Sequence, residues 1–521
     1  MPALPAQKEQ PHPTALDRPG SPSPDPAPDP IAGAAPNRAL DALFVNAPLR
    51  DYGLRPRTND YTLPVLGMAY IATYAQQVGG FNVGVLDAEA HGLGIAETAR
   101  LINRVRPRWV GMNLLAPTYE MSARIAAALD PGIALMVGGH HARAMPARVL
   151  DDPRMRNLRA LVIGEGETRV AALLSDERRR AELPGVMWRD RLLGTHGTGI
   201  AHAGPTPAST AAHWLGPDID ALPLVDRTFL PQDPYLAEDG RTEANIVGSR
   251  GCPYDCGFCG AAVSANPDVK IRARSPEGIV AELDHLHAAH GTTAYRFVDD
   301  LFLGAKRVIV PQMEAFTRHG IGDRYVWDAT GRINVFSRLD DAMYATLRAN
   351  GLREVALGIE SGSDRVLAGM DKRITAAMTE EVTGRLLAHG INVKGYFILG
   401  YPGETQEDLD ATVQHIRNLW ALADRRPGNG TFRASVFEFR PYPGTPVWNT
   451  LLKAGHRPDD LLAYADVDLT ADGADESMRA RDEFNFSVGI EFGGVPLPRL
   501  RTTLAMLTRE QYTRNRTGIP A

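Results

Sequence analysis

Three cysteines lie within one eight-residue span, at Cys252, Cys256 and Cys259, and the chain holds no others. The segment reads Gly251-Cys-Pro-Tyr-Asp-Cys-Gly-Phe-Cys-Gly260 and follows directly on a predicted strand. Three thiolates on one short loop can converge on a soft metal centre. Structural zinc usually takes four protein ligands, and a fourth cysteine is lacking. Three cysteines on a four-iron cluster leave one iron open for an outside ligand. A zinc site completed by a histidine, or three unrelated buried thiols, are the competing readings. Further along, Phe297-Val-Asp-Asp-Leu-Phe302 and Gly358-Ile-Glu-Ser-Gly-Ser363 put Asp299, Asp300, Glu360 and Ser361 at predicted strand ends. Charged groups so placed could bind a polar ligand. The plainer readings are a helix cap for the aspartate pair and a buried ion pair for Glu360.

These loops need a scaffold. Residues 245–450 alternate strands with helices, and strands are predicted at Ala244–Gly248, Ala294–Val298, Tyr325–Ala329, Glu354–Ile359, Val393–Ile398 and Ala434–Phe439. Ser275-Pro276 reads as a helix cap followed by proline in the first turn. Thr405 with Asp408 reads as a capping box, and Gly351 and Gly390 sit where helices should stop. Six such units predict a partial barrel with its chemistry at the carboxyl ends of the strands. In the last strand Glu438 and Arg440 share one face, and Phe437 and Phe439 the other. Asp328 and Arg332 fall at the end of the third strand. Asp328, Glu438 and Arg440 are therefore the catalytic candidates, a charged set at the barrel mouth that could grip a polar substrate. Alternatively these charges pair with each other or hold the C-terminal segment.

Residues 39–175 alternate in the same way, with strands predicted at Leu40–Asn46, Asn82–Leu86, Trp109–Asn113, Ala134–Val137 and Ala160–Ile163. Such a pattern implies a parallel sheet covered on both faces, with ligands beyond its carboxyl ends. The expected fold class is thus α/β. Its divisions are a disordered tail 1–37, a first domain 38–175, a linker 176–244, the partial barrel 245–450 and a C-terminal substrate or lid region 451–521. The tail holds 11 of the 39 prolines. The linker contains a predicted hairpin, Gly185–Leu193, and packs on a neighbour. The last region carries Phe484, Phe486 and Phe492 and ends in a helix over Leu497–Thr513.

The 521 residues carry 56 basic and 62 acidic side chains, a net charge of −6, which argues against a protein built to grip nucleic acid. No apolar run reaches the ~18 residues of a membrane span. The N-terminal stretch lacks a basic region followed by an apolar core and so does not read as a signal peptide; a cytoplasmic location without disulfides is expected. Six Lys against 50 Arg, with abundant Ala, Gly and Pro, read as a GC-rich source.

Residues 245–450, with these motifs in this order, resemble the radical S-adenosylmethionine superfamily. Two further segments match it: Leu399-Gly-Tyr-Pro-Gly-Glu-Thr405 and Arg440-Pro-Tyr-Pro-Gly-Thr-Pro446. The resemblance implies that Cys252, Cys256 and Cys259 hold a 4Fe-4S cluster. It implies that Phe258 packs on the adenine of S-adenosylmethionine, and that Asp299, Glu360 and Ser361 lie near that ligand. Reductive cleavage would then give a 5′-deoxyadenosyl radical, with an electron from an external flavodoxin or ferredoxin.

The first domain resembles the cobalamin-binding fold that precedes the radical domain in one large subgroup. Pro64-Val-Leu-Gly67, Val137-Gly-Gly-His-His-Ala142 and Ile163-Gly-Glu-Gly-Glu167 carry that likeness. It implies cobalamin contacts from Pro64, Thr118, Gly138, Gly139, Glu165 and Gly166. Many cobalamin proteins place a cobalt-ligating histidine in D-x-H-x-x-G. Here the loop reads Asp87-Ala-Glu-Ala-His-Gly92, with Glu89 at the histidine position. Cobalamin is therefore expected without a histidine ligand, with His91 in solvent and His140 and His141 in packing or tail contacts. The implied activity is a cobalamin-dependent methyltransferase acting on a carbon of a specialised-metabolite substrate, small molecule or peptide, with no nucleic acid or membrane partner. The alternative is a non-methylating cyclisation or rearrangement on the same architecture. A cobalamin-sensing regulator would leave the cysteine loop idle, and a methylthiotransferase would bring a second cysteine set.

Overall fold

The computed structural model describes residues 30–54, 63–175, 183, 185–188, 202–203, 216–237, 240–267, 269–425, 430–466 and 486–516. The first βα run folds into one sheet. Its strands are β1 Ile31–Ala32, β2 Ala42–Asn46, β3 Val83–Asp87, β4 Trp109–Asn113, β5 Ala134–Gly138, β6 Leu158–Val162, β7 Val186–Trp188 and β8 His202–Ala203. They lie in the order β1-β3-β2-β4-β5-β6-β7-β8, and β2 to β6 run parallel. Every residue of β3 is buried, as expected where helices cover both faces. Leu66–Gln77 and Glu167–Ser175 pack on one face against Phe44, Met136 and Val162. Ile95–Val105 and Tyr119–Ala127 pack on the other against Leu43, Val110 and Leu135. From β2 the chain first adds β3 on one side and then β4 on the other. That reversal opens a crevice beyond the carboxyl ends of the strands.

Two expectations need correction here. The stretch 30–37 is not a disordered tail: Ile31 and Ala32 pair antiparallel with Leu86 and Val85. The Asn82 side chain then secures Ala35, Arg38 and Ala39 through their backbones. Averaging composition over a proline-rich window hid this short apolar pair. Residues 1–29 lie outside the described residues. The sheet also runs past residue 175, because β7 pairs antiparallel with β6 and with β8 rather than within Gly185–Leu193. Most of that predicted hairpin lies outside the described residues. Residues 216–237 do pack on a neighbour: Ile219, Leu222, Val225 and Phe229 join the core under helix Leu66–Gln77.

The second run gives β9 Tyr235–Leu236, β10 Thr242–Ile246, β11 Ser249–Arg250, β12 Arg272–Ala273, β13 Ala294–Phe297, β14 Val326–Gly331, β15 Leu352–Glu360, β16 Asn392–Leu399 and β17 Phe432–Glu438. β11 and β12 form a ladder of their own. The others form one sheet in the order β17-β16-β15-β14-β13-β10-β9, parallel except for β9. Each strand lies beside its predecessor in the chain, and the sheet curls into a half-barrel. Ser275 accepts the Gly278 N–H at 3.1 Å, and Thr405 and Asp408 form the capping box. Helix Leu497–Arg516 lies along β17, where Gln511 accepts the Ala434 N–H at 2.7 Å and so covers the sheet edge. β18 Ala465–Asp466 and β19 Phe486–Ser487 form a small antiparallel pair, and Phe484 lies outside the described residues. Among the described residues no helix is long and apolar enough to cross a membrane.

Candidate functional site

The ladder of β11 and β12 is two residues long, Ser249 opposite Ala273 and Arg250 opposite Arg272. It clasps the base of the cysteine loop. The Gly257 N–H donates to Met370 O at 2.9 Å, and Gly257 O accepts the Val447 N–H at 2.8 Å. These bonds hold the loop over the carboxyl ends of the half-barrel. Cys256 is buried, and Cys252 and Cys259 are partly exposed. Arg332, one residue past β14, donates to Cys256 Sγ at 3.3 Å and to Lys372 O at 2.6 Å. Its guanidinium also stacks 3.6 Å from the Tyr254 ring centre.

Among the described residues no three His, Cys, Asp or Glu side chains are grouped to hold one metal ion. An iron–sulfur cube takes each thiolate on a different iron, so its ligands need not meet at one point. Burial pushes the Cys259 thiol up to about 12 and raises that of Cys252. A metal centre is what would hold such thiols as thiolates. The donor set therefore fits a cluster better than a single ion.

Beside the loop, a bulge between Gly358 and Glu360 ends β15, and Glu360 adopts a φ of 67° at 4% exposure. Lys372 Nζ bonds its Oε1 at 2.6 Å and stands 5.6 Å from the Phe258 ring centre. Lys372 thus brings the expected Phe258 and Glu360 together. Ser361 is fully buried and spends its hydroxyl on Thr412 Oγ1 at 2.9 Å and on the Ser363 N–H at 3.1 Å. It braces the turn rather than presenting itself to a ligand. Asp299 accepts the N–H groups of Gly248 at 2.9 Å and Ser249 at 2.5 Å. It therefore pins the entry to the cysteine loop and is not a helix cap. Burial pushes its carboxyl up to about 7.

The proposed charged mouth does not form. Asp328 lies near the amino end of β14, where Arg353 bonds both its oxygens at 2.8 and 2.6 Å. Glu243 and Arg296 complete that network at the far end of the half-barrel from the cysteines. The true strand runs two residues beyond the predicted one, which moves Asp328 away from the mouth. Glu438 faces the C-terminal region, bonded to Ser487 and 3.3 Å from Arg501. Arg440 donates to Phe486 O at 2.8 Å. Both residues hold the C-terminal segment.

A cavity of about 560 Å³ joins the carboxyl ends of the two sheets. Pro64, Gly138, Gly139, Gly166 and His140 line it from one side, and Ser249, Cys252, Asp299 and Asp300 from the other. Gly139 has a φ of 91°, and a Cβ there would fall 2.0 Å from Asn113 Oδ1. Glycine is therefore required by the tight turn itself, which presents backbone at the cavity wall. Thr118 is buried and does not line the cavity. Glu165 lines it, but its carboxylate is taken by Arg272 at 2.6 Å.

Glu89 accepts the Leu49 N–H and the Tyr52 hydroxyl, each at 2.7 Å, so it braces the loop after β2. His91 is absent from the lining, and buried His141 packs 4.5 Å from the Tyr119 ring, its pKa lowered by burial to about 4. His140 lines the cavity, in keeping with the tail contact that was one of its two expected roles. Arg250, which also lines it, and Lys372 and Arg272, which pair with Glu360 and Glu165, were not singled out from the sequence.

Residues 246–416 match the Radical SAM superfamily, and residues 57–174 match the B12 binding domain. An uncharacterized methyltransferase of Pyrococcus horikoshii is 27% identical over 391 residues, covering 74% of this chain and 78% of the relative. An anaerobic magnesium-protoporphyrin IX monomethyl ester cyclase of Rubrivivax gelatinosus is 25% identical over 402 residues, covering 73% and 68%. A solved radical S-adenosylmethionine methyltransferase, TsrM from Kitasatospora setae with tryptophan and a SAM analog bound, has a TM-score of 0.60 and 20% identity, covering 80% of this chain and 76% of that one. At that identity the likeness concerns the fold. With a B12 binding domain on the first sheet and a radical SAM domain on the second, the chain belongs to the cobalamin-dependent radical S-adenosylmethionine enzymes, whose cofactors are a 4Fe-4S cluster, S-adenosylmethionine and cobalamin.

Proposed function

We propose that the chain transfers a methyl group from S-adenosylmethionine, by way of cobalamin, to a carbon of a small-molecule or peptide substrate of specialised metabolism. The observation that carries this reading is the single cavity shared by the glycine loops of one sheet and the cysteine loop of the other. An unactivated carbon is too weak a nucleophile to attack the sulfonium directly, so both cofactors must face one space. The cluster supplies the electron that cleaves S-adenosylmethionine, and cobalamin carries the methyl group; the protein positions both and excludes water.

In this reading Cys252, Cys256 and Cys259 hold the cluster, and Arg332 orients Cys256. Phe258 and the Glu360–Lys372 pair receive S-adenosylmethionine. Pro64, Gly138, Gly139 and Gly166 offer backbone to cobalamin. A flavodoxin- or ferredoxin-type protein delivers the electron. The methyltransferase names of two compared proteins support this activity. The cyclase among the relatives supports a second reading, a non-methylating cyclisation or rearrangement.

The test is anaerobic reconstitution with iron, sulfide and cobalamin, followed by S-adenosylmethionine and a chemical reductant. S-adenosylhomocysteine released only when cobalamin is bound is the expected result. Release of 5′-deoxyadenosine alone, under every condition, would transfer the case to the second reading.

A further inference from the structure

Arg250 and Arg272 face one another across the ladder that closes the cysteine loop. Their guanidinium groups cross to the other sheet. Arg250 donates to Glu167 Oε1 at 2.6 Å and lies 3.4 Å from Glu165. One Nη of Arg272 meets both Glu165 oxygens, at 2.7 and 2.6 Å. The four side chains are 17% exposed or less, and Arg250 also stands 5.1 Å from the Tyr70 ring centre. Two cations against two carboxylates leave no buried charge uncompensated. The glutamates flank Gly166, where a Cβ would fall 2.6 Å from Ile71 Cδ1, so the loop after β6 is held on both sides.

We infer that Glu165, Glu167, Arg250 and Arg272 are positioning residues that fix the separation of cobalamin and cluster. The inference rests on the cofactor placement proposed above. Loop 164–167 borders the cobalamin side of the cavity and loop 251–271 the cluster side. A substrate carbon must reach both reactive centres from one pose, and a displacement of about 1 Å can cost ~100-fold in rate. Short, charge-assisted, partly buried bonds at the shared rim resist that displacement. The same bonds couple the sites: ordering one loop orders the other, and the coupling is reciprocal.

The test is the Glu165→Gln/Glu167→Gln double variant, reconstituted beside wild type. Pulsed EPR reads the dipolar distance between cobalt(II) and the reduced cluster in each. The inference expects unchanged content, about four iron and one cobalt per chain, with a broadened distance distribution. It also expects the several-fold tightening of cobalamin binding by the cluster in wild type to fall toward none. A distribution as narrow as wild type, with the tightening intact, overturns it. Should the double variant lose either cofactor, the single Arg272→Gln variant, which leaves Arg250 to pair with both glutamates, decides. Both cofactors kept with a broadened distribution supports the inference, and a distribution as narrow as wild type overturns it. Wild type that takes up no iron or no cobalt refutes the cofactor placement itself.

Discussion

Arg332 shows what one side chain adds to a cysteine loop. A cationic donor on a ligand sulfur stabilises the more negative, reduced state of a cluster. Arg332→Gln should therefore keep its iron and move the cluster midpoint to a more negative potential. An EPR-monitored redox titration reads that shift, and an unchanged midpoint at full iron content would remove Arg332 from this role. Lys372 makes a different demand. Truncation to Ala leaves Glu360, 4% exposed, without its cation. A loss of about 3–5 kcal/mol in urea denaturation is expected. A loss below about 1 kcal/mol would mean that Glu360 finds water or another partner. The cysteines were legible because three equal ligands on one loop form a local pattern. The contact of Arg332 with Cys256 and the reach of Arg250 to Glu167 were not, because the partners lie 76 and 83 residues away in the chain. No spacing rule reaches that far. The misassigned Asp328 and Glu438 have a related cause. Period-2 alternation says which residues share a face, but not which face or which strand end meets the ligand.

The turn that follows β16 carries a titrating element. Glu404 is fully buried, accepts the Gly400 N–H at 2.5 Å through Oε2, and has no partner for Oε1 among the described residues. Burial pushes its pKa from 4.5 up to about 7. Asp299 is raised from 3.8 to about 7, again mainly by burial. A carboxyl raised on folding favours the folded state fully only below its unfolded pKa. The stability from both groups is thus lost progressively as pH rises from about 4, the unfolded value, to about 7, the folded one. Urea midpoints should fall between about pH 4 and about pH 7 and level off above, and Glu404→Gln should flatten part of that fall. The full wild-type slope in the variant would show that Glu404 is solvated or paired. At this scale much could be read in advance. The capping box at Thr405 and Asp408, and the stops at Gly351 and Gly390 with φ of 92° and 72°, are local signals set by backbone chemistry. The strand at Ile31–Ala32 is not, since a two-residue strand exists only through its pairing with β3.

The two sheets meet in more than the cavity. Residues 216–237 lie over helix Leu66–Gln77 and reach the half-barrel, with the Asp226 N–H bonded to Thr73 Oγ1 at 3.0 Å. Arg227 sits where they meet the second sheet. It is 7% exposed, bonds Asp233, donates to Asn245 O at 2.8 Å and lies 3.3 Å from Glu282. Arg274, one residue past the strand that closes the cysteine loop, binds the same Glu282. One guanidinium therefore ties this segment, β10 and helix Pro276–His290 together. Removing it leaves buried Asp233 without its cation and Glu282 with Arg274 alone, at a cost of about 3–5 kcal/mol. Because the segment also belongs to the first sheet's core, that loss should be shared by both halves of the molecule. Heating the holoenzyme of Arg227→Met, while following far-ultraviolet dichroism with cobalamin and cluster absorbance, separates the possibilities. All three signals should fall in one transition at a lower temperature than in wild type. A cobalamin signal that persists to its wild-type midpoint after the cluster signal has gone would mean that the two sheets unfold as independent bodies, and that the segment between them is only a tether.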